Sequence, residues 1–156
     1  MKRFVVLLLV TACGGGSGGP VASGVSRADF IKAAEVVCAK ANTEQKALKT
    51  PTAVEELAPY VARIVAIADE ATTSLQAMTP PTADAADLKQ KVFTPLREQL
   101  VAGHAYADEV AVAAKAKDNK ALVTLLSNPP TQTKADLPWM KDYGFKECVD
   151  AADTSG

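Results

Sequence analysis

The chain has 156 residues, with 17 basic and 18 acidic side chains, one histidine and a net charge of −1. That even, mildly acidic balance excludes the basic stripe of a nucleic-acid binder and the polybasic surface of a protein held on anionic lipid. The length allows one domain with a sizeable core once the N-terminal region is set aside.

The first element in chain order is not a fold element. Met1, Lys2 and Arg3 give a charged start, and Phe4 to Val10 is unbroken hydrocarbon. A spanning helix needs about 20 apolar residues, so this run is too short to cross a bilayer. A charged start, a short apolar core and small residues together describe a secretory signal. Gly14 to Gly24 is rich in glycine and serine. A chain of that composition is a flexible tether with a reach on the order of 20 Å for about a dozen residues.

Helices follow. Ser26 precedes Asp29 as an N-cap with an acid in the first turn. Phe30, Ala34, Val37, Ala41 and Leu48 keep a helical period up to Thr50-Pro51. Thr52-Ala53-Val54-Glu55 reads as a capping box for a second helix. Its stripe of Val54, Leu57, Val61, Ile64, Ala68, Ala71, Leu75 and Met78 alternates steps of three and four, the seam of a left-handed bundle. Pro59 should bend or restart this helix near its beginning.

After the break at Pro80-Pro81 a long helix is predicted from Ala83 to Lys117, facing inward through Leu88, Val92, Leu96, Leu100, Gly103, Ala107, Val110 and Ala114. Pro95 should kink it. Gly103 suggests a close helix approach. Asp118 should cap a shorter helix ended by Asn128-Pro129-Pro130, and Asp136 a final one in which Pro138 occupies the first turn. Gly144 should end or interrupt that last helix. No strand alternation occurs. The expected fold is all-α: an antiparallel bundle of three long helices and a broken fourth, tied by one disulfide.

Two resemblances add to this reading. Val10-Thr11-Ala12-Cys13 resembles the lipobox of bacterial lipoproteins. The resemblance implies cleavage before Cys13 and acylation of its sulfur, with two acyl chains sufficient for stable anchoring. The organisation is then a signal peptide over 1–12, a lipidated cysteine and tether over 13–25, a helical bundle over 26–152 and a tail over 153–156. The mature chain loses Lys2 and Arg3, leaving 15 basic against 18 acidic residues and a net charge near −3. "FIKAAEVVCAKAN", "L..MTPP" and "YGFKECV" are similar to signatures of small secreted helical lipoproteins of actinobacteria. That group implies a bundle with a disulfide from the first helix to the C-terminus, and no established activity.

With Cys13 taken by lipid, Cys38 and Cys148 remain, 148 − 38 = 110 positions apart. Two cysteines in an exported chain suggest one bridge; two separate buried thiols are the alternative. Closing a loop of about 100 residues contributes up to about 4.7 kcal/mol in the chain-entropy model. The bridge would dock the C-terminal segment on the middle of the first helix, with Trp139 and Phe145 covering it.

Chemistry is sparse. His104 and Asp108 lie four apart on one helix face, but a metal site needs three or four ligands and there is no second histidine. Asp69-Glu70 and Asp108-Glu109 read as solvated faces. No nucleophile motif, phosphate loop or haem site occurs. No catalytic residue, metal or cofactor is therefore expected. Trp139, Tyr143 and Phe145 crowd the C-terminus, either plugging the bundle or forming a surface for a ligand or partner. Asn42 reads as a polar residue bonding across helices near the bridge.

The expectation is a non-enzymatic protein anchored at Cys13 to the extracytoplasmic face of the cell membrane. It would bind an envelope protein partner or play a structural role. The alternative is a binder of a small apolar ligand between the helices, and an enzyme ranks third. The many stripe alanines argue for tight helix contact over a roomy cavity, and a pocket of about 300 Å³ or more would argue the reverse.

Overall fold

The computed structural model describes residues 24–130 and 135–153, and all regular structure among them is helical. Cys13 and nearly all of the residues expected to form the signal and the tether lie outside the described residues. No helix among those described is long and apolar enough to cross a membrane.

Helix α1 is Arg27–Lys46. Ser26 caps it: its Oγ accepts from the Asp29 N–H at 3.1 Å. The helix ends five residues before Pro51, where the Ala47 and Leu48 N–H groups fold back onto the carbonyls of Thr43 and Gln45. Helix α2 is Leu57–Gln76, led in by a 3₁₀ turn over Val54–Glu56. The box that starts it is one residue later than its sequence suggests. Glu56, not Glu55, reaches back to the N–H groups of Thr52 at 2.7 Å and Ala53 at 3.3 Å. These bonds hold the Glu56 carboxyl below its usual range. Pro59 falls in the first turn of α2, where its missing N–H costs nothing.

The long third helix is interrupted rather than merely kinked. It consists of α3 (Ala85–Leu88), a π turn (Lys89–Phe93) and α4 (Thr94–Lys115). Pro95 cannot donate to the carbonyl of Lys91, and its ring crowds that carbonyl. The wider turn makes room: the Thr94 N–H reaches Lys89. The Lys91 carbonyl instead accepts the N–H of Asp136 at 3.0 Å.

Three short helices complete the bundle: α5 (Asn119–Ser127), α6 (Leu137–Tyr143) and α7 (Glu147–Asp153). Asp118 caps α5 through the Ala121 N–H, and Asp136 caps α6 through the Trp139 N–H. Gly144 closes α6 with φ of +117°, and a Cβ there would stand 3.2 Å from Ile31. Helices α1, α2 and α4 are the three long members, with α2 packed on both others and α7 packed on α1.

Two cores form. At the α6 end, Phe30, Leu75, Leu88, Met140, Tyr143 and Phe145 pack with the bridge. At the other end Val61, Val110, Ala113 and Leu122 pack together.

Candidate functional site

Cys38 and Cys148 are bonded, with Cα atoms 4.9 Å apart. The expected bridge is therefore present, and it joins the middle of α1 to α7. Three side chains of α1 share the work. Glu35 accepts from the N–H groups of Lys146 at 3.0 Å, Glu147 at 2.9 Å and Cys148 at 3.3 Å, which caps the start of α7 from a neighbouring helix. Asn42, buried, donates to the Glu147 backbone carbonyl at 3.0 Å and to its carboxylate at 3.1 Å. Phe30 meets Phe145 edge to face at 6.4 Å. The spacing of 30, 35, 38 and 42 puts all four on the side of α1 that α7 and the segment before it cover.

The aromatic trio does not form one surface. Phe145 is 3% exposed and Tyr143 6% exposed, so both belong to the core. Trp139 is only half-buried, stacked on Tyr143 at 4.7 Å, with the Lys91 ammonium 4.9 Å from its ring centre. The reason is the cap geometry: Gly144 reverses the chain and turns Tyr143 and Phe145 inward together. Tyr143 donates its hydroxyl to Asp84 at 2.8 Å, and Arg27 holds the same carboxylate in two bonds of 2.7 and 2.9 Å. Arg27, with help from Tyr143, keeps the Asp84 carboxyl below its ordinary value. Burial, reinforced by Asp84, pushes the Tyr143 phenol up to about 12. Phe145 lies in the core with the bridge, with Trp139 packed against that core, and Phe145 also borders the space described next.

Between the two cores lies a cavity of about 580 Å³. Phe30, Ala34, Cys38 and Ala41 of α1 form one wall, and Val61, Ile64, Ala68, Ala71 and Leu75 of α2 a second. Leu96, Leu100, Gly103 and Tyr106 of α4 form the third, with Met140 and Phe145 below. Exposed Thr50, Leu126, Pro129 and Pro130 also border it, so the cavity opens to solvent on that side. None of its bordering residues among those described is charged.

The inward stripes read from the sequence are these walls, but the alanines act opposite to expectation. Ala34 and Ala41 of α1 and Ala68 and Ala71 of α2 all border the cavity. Small side chains on two of its walls leave space unfilled. Gly103 likewise does not mark a forced approach: a Cβ there would sit at ordinary contact distance, 3.6 Å, from Val65. It widens the cavity instead. Sequence reasoning missed Thr72, Gln99, Tyr106 and the Leu126–Pro130 rim. The one available signal was the coincidence of alanines on two helices that must pack antiparallel.

His104 is exposed, 3.8 Å from Asp69, and Glu70 pairs with Lys40 at 2.8 Å across to α1. No three His, Cys, Asp or Glu side chains converge among the described residues. The described residues that border the cavity are neutral and mostly apolar. The chain matches no protein-family model, no curated protein and no solved structure.

Proposed function

We propose that this chain is a lipid-anchored, extracytoplasmic, non-enzymatic binder of a small apolar ligand held between its helices. One observation carries the reading: a cavity of about 580 Å³ with uncharged, mostly hydrocarbon walls. Ligand sites commonly fall between about 300 and 1,000 Å³, with apolar linings and few polar groups. The balance between the sequence-level alternatives turns on this space, since the alanines were the argument against it.

The test uses the full chain with its bridge formed and N-phenylnaphthylamine, whose fluorescence rises in apolar surroundings. Saturable binding is expected, and Ala68→Phe or Ala71→Phe should abolish it while leaving the melting temperature unchanged or higher. A chain that binds no probe, or variants that bind it unchanged, would refute the reading. The anchoring half rests on residues 1–13. Cys13→Ser should leave unprocessed precursor in the producing cell; normal cleavage and the same lipid mass shift would overturn it.

A protein partner remains the second reading. Val101 and Val112, 66% and 69% exposed, stand three turns apart on the outer side of α4. Val101→Lys with Val112→Lys should then abolish co-purification of an envelope protein while sparing probe binding.

A further inference from the structure

Thr72 is 8% exposed and borders the cavity. Its hydroxyl has no hydrogen-bond partner among the described residues. No described side-chain oxygen or nitrogen is both fully enclosed and unpartnered. Thr72 is one of the few polar residues that border the cavity. A mostly buried hydroxyl that no described residue bonds favours a ligand group that does.

A second polar group stands at a similar level. A Cβ on Gly103 of α4 would lie 3.6 Å from Val65 of α2. The two helices run antiparallel, so Gln99, one turn before Gly103, comes level with the turn of α2 from Ala68 to Thr72. Gln99 borders the cavity, and its amide also has no partner among the described residues. A hydroxyl and an amide both donate and accept. Neither compensates a charge. A carboxylate drawn into such a site would lose its water and meet no cation; one left at the mouth would meet none among the described bordering residues either.

We infer that the ligand is an uncharged amphiphile, a single hydrocarbon chain bearing a hydroxyl or ester, whose polar group bonds to Thr72 and Gln99. The inference rests on the binding function proposed above. It selects long-chain alcohols and monoacylglycerols over fatty-acid anions.

The deciding experiment is displacement of N-phenylnaphthylamine from the full, oxidised chain by four ligands with comparable tails: oleyl alcohol, monoolein, oleate and octadecene. The work is done at about pH 9, where a carboxylic acid is ionised. Oleyl alcohol and monoolein should displace the probe at concentrations about tenfold below oleate. Thr72→Val should weaken oleyl alcohol by about three- to tenfold and leave octadecene unchanged, and Thr72→Ser should restore the alcohol. Oleate binding as tightly as the alcohol, or a Thr72→Val variant that weakens alcohol and hydrocarbon alike, overturns the neutral-head assignment but leaves apolar binding standing. Failure of all four to displace a bound probe overturns the assignment too. Failure of the probe itself to bind removes the function beneath it.

Discussion

The two ends of α1 and α2 are built from the same kinds of residue and do opposite things. Where α6 and α7 cover them, large side chains meet large ones and the polar groups between the helices are paired. Asp84 holds Arg27 and Tyr143, Glu35 holds three backbone donors, and Asn42 holds Glu147. A few turns away, alanines of both helices border a space of about 580 Å³, and no described residue bonds the side chains of Thr72 and Gln99. Rigidity is concentrated at one end so that the middle can stay hollow. An unfilled bundle loses contacts along its walls, and the bridge, the cap and the aromatic cluster offset that loss.

The harshest way to break this contrast is Leu75→Asp. Leu75 is buried in the closed end, and an unpaired carboxylate there is very costly. Cooperative thermal unfolding should disappear. A polar change elsewhere on the cavity wall, Ile64→Ser, should leave a cooperative transition, because Ile64, unlike Leu75, is only half-buried and packs in neither core. Equal damage from both would mean the cavity wall is as tightly packed as the core.

Reducing the bridge is next. Loss of a native disulfide typically costs about 2–5 kcal/mol, and α7 should lose its amide-exchange protection before α2 and α4 do. Uniform loss of protection would show that the clamp does not act locally.

Glu35→Ala strips the cap from three donors at once and should cost about 1–2 kcal/mol in denaturant midpoint, within the range of an N-cap. With the bridge intact, the effect should again fall on α7. A neutral result would mean water replaces the carboxylate without penalty.

Gly103→Ala sharpens the other side. The added methyl has room beside Val65, and alanine is better than glycine in a helix by about 1 kcal/mol. The variant should melt higher and bind apolar probe more weakly. A lower melting temperature would put a tight helix contact back at Gly103.

The smallest effect is set by pH and falls on the closed end. The Asp84 carboxyl is held low by Arg27, so its contribution is complete above the ordinary carboxylate value. It is lost only as pH falls through the depressed one, below about pH 4. Tyr143 is the mirror case. With its phenol raised from 10 to about 12, its contribution is complete below pH 10 and lost as pH climbs toward 12. Near-ultraviolet circular dichroism should therefore change at both extremes, with α6 loosening first in acid. Acid loosening that begins at α5 would contradict this.

Much of the fold was legible because its signals are local. Ser26, Asp118 and Asp136 announce their helices by cap chemistry, and Pro129-Pro130 and Gly144 stop theirs by backbone geometry. The bridge followed from counting cysteines in a chain that reads as exported. The cavity was not legible. Periodicity says which residues turn inward, not whether they touch once there, and an alanine stripe is equally compatible with contact and with a void. The aromatic trio was legible only as two alternatives, a plug or a surface; Tyr143 and Phe145 are buried in the core, and Trp139 is half-buried against it. Thr72 was missed because a lone threonine on a helix carries no pattern; only its lack of a partner gives it meaning.

Pro95 has a reach beyond its own helix. Any other residue there would bring an N–H to compete for the Lys91 carbonyl, which now receives Asp136. Proline removes a helical donor that would share this oxygen, and so strengthens its offer to the docking of α6. Position 95 is in this sense part of the address of the C-terminal segment. Pro95→Ala would be a helix-favouring change that mends the helix locally and leaves that segment with a weaker place to land.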